Sequence, residues 1–312
     1  MKLGQLSQHG FTVVETNTPE CGANEVLVKV TSCGVCSGDL FLYKTRSELT
    51  NDKVHLGHEV IGVVAAVGAD VSSLNVGDSV TSVDGVAGYA EYFVAPESFI
   101  AKLPENSDMT ATLGEPIACC VHAIKRLDIK PNLSAAVLGC GFMGLICIQL
   151  LKAYGIDNIV AIDPVDYRRE QALKQGAKQA LTVEELPDYN RDEGLYDIVI
   201  EAAGVQPALD TSADLVKQHG QILIIGYHQN NDGMRQVNMQ LWNFKAIDVI
   251  NGHIRNMDEK YAAMLAGLAL CETGEINLSS FLSTYTLDNI QHAFNDLTNP
   301  DKPIFKAVIT ND

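Results

Sequence analysis

The stretch CGVCSGDL, residues 33 to 40, sets two thiols two residues apart, Cys33 and Cys36, with Asp39 just after them. A pair so spaced can serve as a redox couple, as half of a zinc knuckle, or as the source of one metal ligand. Twenty-two residues beyond Cys36, LGHEVIGVV places His58 and Glu59 side by side, and GEPIACCVHA later supplies Glu115. Thiolate, imidazole and carboxylate are all zinc ligands. Three protein ligands with a fourth position open is the composition of a catalytic centre rather than a structural one. Cys36, His58, Glu59 and Glu115 are therefore candidate metal ligands. Spacing alone leaves open that the His-Glu pair is an accident of surface or core.

A second chemistry is written in VLGCGFMG. Gly139, Gly141 and Gly144 follow the G-x-G-x-x-G order between a strand-like run and a helix-like one, and Asp163 ends the next apolar run, 19 residues after Gly144. In that setting the first glycine permits a tight turn. The second lets backbone approach a pyrophosphate, the third lets helix pack closely on strand, and the helix N-terminus favours negative charge. An acid at Asp163 accepts hydrogen bonds from an adenosine ribose and repels a 2′-phosphate, so NAD is expected over NADP. Arg168, five residues on, either favours that phosphate or, with Arg169, faces solvent.

The elements that must position these residues fall into two styles. Up to about residue 118 the chain reads as short β-branched strands, NEVLVKVTSCGV and HEVIGVVAAVGADV among them, broken by turns such as VGDSV. From about residue 119 apolar strands alternate with helical stretches: SAAVLGCG, then FMGLICIQLLKAYG, NIVAIDP, RREQALKQG, YDIVIEAAG, GQILIIGY and KAIDVINGH. That alternation predicts βαβ units and a doubly wound parallel sheet, hence an α/β protein. Two helical segments, EKYAAMLAGLALCETG and LDNIQHAFNDLT, and a last strand, FKAVIT, follow residue 258.

At 312 residues there is chain enough for two cores. A net charge of −17 argues against nucleic acid and anionic lipid as partners. No run of about 18 apolar residues suggests a membrane span. The N-terminus MKLGQLSQHGFTVVE lacks the apolar core of a signal peptide. With eight cysteines in no framework spacing, a reducing cytoplasm and free thiols are expected.

The motifs GVCSGD, GHEVIGVVAAVG, VGDSV, GYAEYFVAP, EPIACCVHA, VLGCGFMG, VAIDP and VIEAAG, spread over almost the whole chain, resemble those of zinc-dependent medium-chain alcohol dehydrogenases of the sorbitol and threonine dehydrogenase type. The resemblance implies a GroES-like β-rich catalytic domain (1–118), a Rossmann NAD-binding domain (119–257) and a C-terminal segment (258–312) returning to the catalytic part. It implies zinc on Cys36, His58 and Glu59, with Glu115 binding zinc, its water or the substrate. Cys33 matches no ligand position and reads as a small buried hydrophobe.

The resemblance also implies reversible oxidation of an alcohol by NAD. Cofactor contacts would come from Gly139, Gly141, Phe142, Met143, Gly144, Asp163, Arg168, Gly204, Ile225, Gly226, Tyr227 and Asn251. Tyr43, His122, Trp242 and His253 are candidates for the substrate wall. Three features depart from the family pattern. No cysteine lies between Val60 and Leu113, so the second, structural zinc of many relatives is not expected. Gly38 stands at the usual relay hydroxyl, and Phe41 where relatives often carry a relay histidine. Glu115, or more weakly Ser37, would then take the proton. The expected partner is a small alcohol, with the chain forming a homodimer or homotetramer. A zinc-free quinone or enoyl reductase, a thiol redox protein and a non-catalytic nucleotide-binding relative are the competing readings.

Overall fold

The computed structural model describes residues 1–49 and 53–311. Two compact units share the chain: residues 1–118 with 257–312, and residues 119–256. Among the described residues no helix is long and apolar enough to cross a membrane.

The first unit opens with the hairpin β1 (Lys2–Ser7) and β2 (Gly10–Glu15), then β3 (Glu25–Gly34), α1 (Ser37–Lys44), β4 (Glu59–Val67), β5 (Ser79–Ser82), β6 (Tyr92–Pro96) and β7 (Ile100–Lys102). The chain leaves this unit within α2 (Gly114–Lys125). The alternation of β3 places Val26, Val28 and Val30 on one buried face, as a half-solvated antiparallel strand requires.

The second unit alternates strand and helix: β8 (Ser134–Leu138), α3 (Phe142–Ala153), β9 (Asn158–Ile162), α4 (Asp166–Lys174), β10 (Gln179–Leu181), β11 (Tyr196–Glu201), α5 (Gln206–Leu215), β12 (Val216–Ile224), α6 (Met239–Lys245) and β13 (Asp248–Asn251). All its pairings are parallel, in the order β10-β9-β8-β11-β12-β13. This is the doubly wound Rossmann order, with its switch point between β8 and β11. β8 is buried at all five positions, because helices cover both faces.

The return segment supplies α7 (Met257–Glu272), β14 (Leu282–Thr286), α8 (Ile290–Thr298) and β15 (Lys306–Thr310). β15 pairs antiparallel with β3, so the first unit's sheet runs β14-β15-β3-β4-β5-β7, with β6 also on β3. The core of this unit gathers around Phe11, Tyr43, Tyr89 and Phe294, the rings of Phe11 and Phe294 lying 4.5 Å apart. Tyr43 belongs there. It is 3% exposed, and its hydroxyl donates to Asn295 Oδ1 at 2.7 Å and accepts from Gln291 Nε2 at 2.6 Å. The expectation that Tyr43 lines a substrate wall is corrected: the ring is core packing and its polar tip is already paired.

In the second unit the buried Lys245 closes α5. Its ammonium donates to the carbonyls of Ala213, Asp214 and Val216 at 2.8, 2.9 and 2.8 Å. Those carbonyls lie where a helix end leaves acceptors without partners. Burial pulls the pKa of Lys245 down. Removing the ammonium should leave buried carbonyls unmet, so Lys245→Met should cost about 3 kcal/mol of unit stability. Urea unfolding followed by the fluorescence of Trp242, the chain's single tryptophan and a member of this unit, reads the loss. An unchanged midpoint would refute the capping role.

Candidate metal centre and nucleotide-binding edge

Cys36 ends the approach to α1, His58 immediately precedes β4, and Glu59 begins that strand. One donor atom from each of Cys36, His58 and Glu59 lies within 4.8 Å of the others. Tetrahedral zinc with bonds of 2.0–2.3 Å sets its ligands about 3.5 Å apart, so the three are near coordinating distance. Asp39 braces the thiol's backbone, accepting from Cys36 N at 3.3 Å and from the buried Tyr89 hydroxyl at 2.5 Å.

Local sequence explains why β4 starts here. The Ser82 hydroxyl donates to His58 O at 2.8 Å and accepts from Val60 N at 3.0 Å. The Thr81 hydroxyl donates to Val60 O at 2.9 Å and accepts from Gly114 N at 3.0 Å. One β5 side chain thus fixes both the His58–Glu59 strand and the first turn of α2, which carries Glu115. Gly114 must lack a side chain: a Cβ would stand 2.6 Å from Thr81 Cγ2 and 2.7 Å from Met264 Sδ. The closeness of α7 at Met264 brings Lys260, one helical turn earlier, to Glu115 Oε1 at 2.8 Å.

A similar absence governs Glu59. Gly34 of β3 pairs with Glu59, and a Cβ on Gly34 would lie 2.1 Å from Glu59 Oε2. The carboxylate therefore rests over bare backbone. From the other side Lys306 donates to its Oε1 at 2.6 Å. Glu59 is 1% exposed, and its Oε2, although 2.6 Å from the ammonium, accepts no hydrogen bond.

The electrostatics ask for a cation. Burial raises the Glu59 pKa further than Lys306 and His58 lower it. Burial likewise works to raise Glu115, but the charge of Lys260, with His58 and Lys306, outweighs it and holds this carboxyl below its usual range. Burial opposes charge on His58. The hydrogen bond to Cys36 and the fields of Cys36, Glu59 and Glu115 overcome it and lift the imidazole to about 10. A buried carboxylate, a thiol and a histidine drawn toward positive charge fit zinc by chemistry and by spacing.

Of the other residues singled out near the metal centre, Ser37 is exposed at the start of α1. Cys33 is 1% exposed, its Sγ 3.0 Å from where a Cβ on Gly57 or Gly88 would stand. It fills a crossing of two glycines, and burial pushes its thiol far up. A Cβ on Gly38 would meet only Cys36 Sγ, at 3.9 Å. Phe41 is exposed.

In the second unit the three loop glycines meet three separate demands. Gly139 has φ +94°, and a Cβ there would strike Ala203; one on Gly144 would lie 2.0 Å from Gly139 O; one on Gly141 meets nothing within 4 Å. That open space over Gly141 is the cradle a pyrophosphate needs. Asp163, 2% exposed, accepts from Cys140 N at 2.8 Å and Val165 N at 2.9 Å, which fastens the loop to the end of β9. Arg168 Nη1 lies 3.8 Å from Asp163 Oδ2. Phe142, Met143 and Gly144 form the first turn of α3, while Gly204, Ile225, Gly226, Tyr227 and Asn251 lie at the carboxyl ends of β11, β12 and β13. His253 stacks edge-on to Tyr227 at 5.5 Å, and His122 is half-buried on α2. Trp242 is a correction. Expected on the substrate wall, it packs instead on the unit's core from α6, beside Leu241.

Residues 22–105 match the alcohol dehydrogenase GroES-like domain, and residues 143–269 match the zinc-binding dehydrogenase domain. D-xylulose reductase A of Aspergillus niger is 30% identical over 67% of this chain and 68% of its own. The chain belongs to the zinc-type medium-chain alcohol dehydrogenase family. Sorbitol dehydrogenase of Bacillus subtilis, another member, is 29% identical over 69% of this chain and 71% of its own. An Escherichia coli oxidoreductase of unknown specificity has the same fold, with a TM-score of 0.85, 25% identity and full coverage of both chains. The family assignment makes the chain an oxidoreductase of the alcohol dehydrogenase type. It also sets the GroES-like and Rossmann architectures on the two sheets described above.

Sequence reading missed the buried lysines. Lys306 looks like the polar start of a short strand, and Lys260 like the solvent side of a helix. Only their distance from any local partner, 247 residues for Lys306 and Glu59, hides them. The raised His58 has a measurable consequence. An imidazole so raised would be protonated at neutral pH in metal-free protein, so a zinc bound there would have to displace that proton. Zinc affinity should climb with pH, with release of about one proton or more per zinc between pH 7 and 9. Dye-monitored titration in weak buffer reads it; uptake without release contradicts the ligand assignment. Because the folded pKa lies above 6.5, the stabilisation His58 gives the metal-free fold is complete below about 6.5 and lost as pH rises through about 10.

Proposed function

We propose that this chain is an NAD-dependent zinc dehydrogenase. It would interconvert a secondary alcohol bearing a neighbouring hydroxyl or amine, in a polyol, sugar or amino alcohol, with the corresponding ketone. The observation that carries the reading is the meeting of Cys36, His58 and Glu59, with one donor atom of each within 4.8 Å of the others. Zinc held there would supply a Lewis acid that acidifies the substrate hydroxyl, and bound nicotinamide would take the hydride.

The chain's own residues do the rest. Cys36, His58 and Glu59 hold the metal, and Lys306 offsets the charge of Glu59. Glu115, held anionic by Lys260 beside His58, accepts the hydroxyl proton. Gly38 and Phe41 offer no group for that task, and Ser37, exposed at the start of α1, is the lesser candidate. Gly139, Gly141 and Gly144 seat the pyrophosphate, and Asp163 takes the adenosine ribose and disfavours a 2′-phosphate. His122 and His253 stand as candidates for substrate recognition. The exposed edge strand β13, with Val249 on it and Phe244 just before it, supports a homo-oligomer.

Metal analysis should give about one zinc per chain, lost together with activity on chelation. Two tight zincs, or full activity without metal, would overturn the reading. For the cofactor, the wild type should prefer NAD, and Asp163→Ser should narrow the preference. A wild type that binds NADP more tightly would assign the ribose pocket to Arg168 instead. For the substrate, polar groups left unpaired in a pocket cost about 1–3 kcal/mol each. A vicinal diol should therefore exceed the matching mono-alcohol in kcat/KM by about tenfold or more. Equal values would mean an apolar pocket.

A further inference from the structure

We infer that His228 and Arg235 are positioning residues for the nicotinamide half of the dinucleotide, acting through Glu201. The inference rests on the cofactor reading above. Glu201, the last residue of β11, is 0% exposed and gathers two turns onto one side chain and one carbonyl. Its Oε1 accepts from Ala203 N at 2.9 Å and Gly204 N at 2.7 Å, and its carbonyl accepts from Ile225 N and Gly226 N, each at 2.9 Å. Its Oε2 accepts from His228 Nε2 at 2.9 Å. Arg235 Nε lies 2.7 Å from His228 Nδ1, and Arg235 Nη2 donates to Gly204 O at 3.1 Å.

These contacts close a ring: Gly204 to Glu201, Glu201 to His228, His228 to Arg235, and Arg235 back to Gly204. Arginine has only donors, so Nδ1 of His228 must accept and Nε2 must carry the proton that Glu201 receives. The ring therefore fixes the tautomer as well as the geometry. Gly226 admits the carboxylate because a Cβ there would stand 2.5 Å from Glu201 Oε2.

Sheet order says which half of a dinucleotide these turns serve. The glycine loop follows β8, and Asp163 comes directly after β9 on one side of it. β11 and β12 lie on the other side, across the switch point. A dinucleotide laid over the carboxyl edge puts its adenosine at β9 and its second base over β11 and β12. The two turns that Glu201 ties are the floor of that second position, and Tyr227, 54% exposed, stands on one of them.

The test is binding, measured by calorimetry on the full chain with NADH and with ADP-ribose as separate probes. Wild type should bind both. His228→Leu should weaken NADH by about tenfold or more, the loss expected when a buried acceptor is left without its donor. ADP-ribose, which lacks the nicotinamide, should bind within about twofold of wild type. His228→Gln, which offers a donor and an acceptor of similar reach, should recover most of the NADH affinity. Arg235→Gln should give the same split and serves as a second variant. Unchanged NADH binding in both His228→Leu and Arg235→Gln, or NADH and ADP-ribose falling together, would overturn the inference. A wild type that binds neither probe would instead overturn the cofactor reading on which it rests, and the inference with it.

Discussion

The structure turns on one buried ion pair, Lys306 with Glu59, laid across Gly34. Three strands must be in register for it to exist: β15 brings the lysine, β4 brings the carboxylate, and β3 between them contributes a residue with no side chain. A single methyl group on Gly34 would displace the carboxylate. Breaking a buried pair by removing one partner typically costs 3–5 kcal/mol, because the other charge stays behind without compensation. The return segment is thus more than a closing strand. It supplies the counter-charge for a candidate metal ligand, and through Lys260 it supplies a second one for Glu115. Without that segment, the carboxylates around Cys36 and His58 would be buried without either lysine.

A chain with a net charge of −17 has many acids to spare, yet those at the two candidate sites share a different fate from the surface ones. Glu59 and Glu115 face ammoniums. Asp163 and Glu201 face backbone amides, Asp163 fastening the glycine loop to β9 and Glu201 fastening two turns at the ends of β11 and β12. Each is a buried carboxyl group answered by fixed donors, which is the condition under which burial is tolerated. The same donors hold the loops in place before any ligand arrives.

Local signals in the sequence were enough for the alternating strands and helices of the second unit, the glycine loop, and Asp163 at the end of β9. Each is a short-range pattern whose cause lies within a turn or a strand. The grouping of Cys36, His58 and Glu59 was legible as residue types and through family likeness, while their proximity came from β3 and β4 pairing far along the chain. Lys306, Lys260, Lys245 and the Glu201–His228–Arg235 ring were not legible, because a buried charge is recognised only by a partner that folding brings to it. Tyr43 and Trp242 misled for a related reason. An aromatic with a polar tip looks the same in sequence whether that tip meets a substrate, a core amide or solvent.

The proposed coordination of zinc at Cys36, His58 and Glu59 is open to direct inspection by X-ray absorption at the zinc edge of the purified protein. The account predicts one sulfur at about 2.3 Å and the remaining ligands nitrogen or oxygen at about 2.0–2.2 Å, with the sulfur shell lost in Cys36→Ala. Four sulfur neighbours, or a sulfur shell that survives Cys36→Ala, would contradict it.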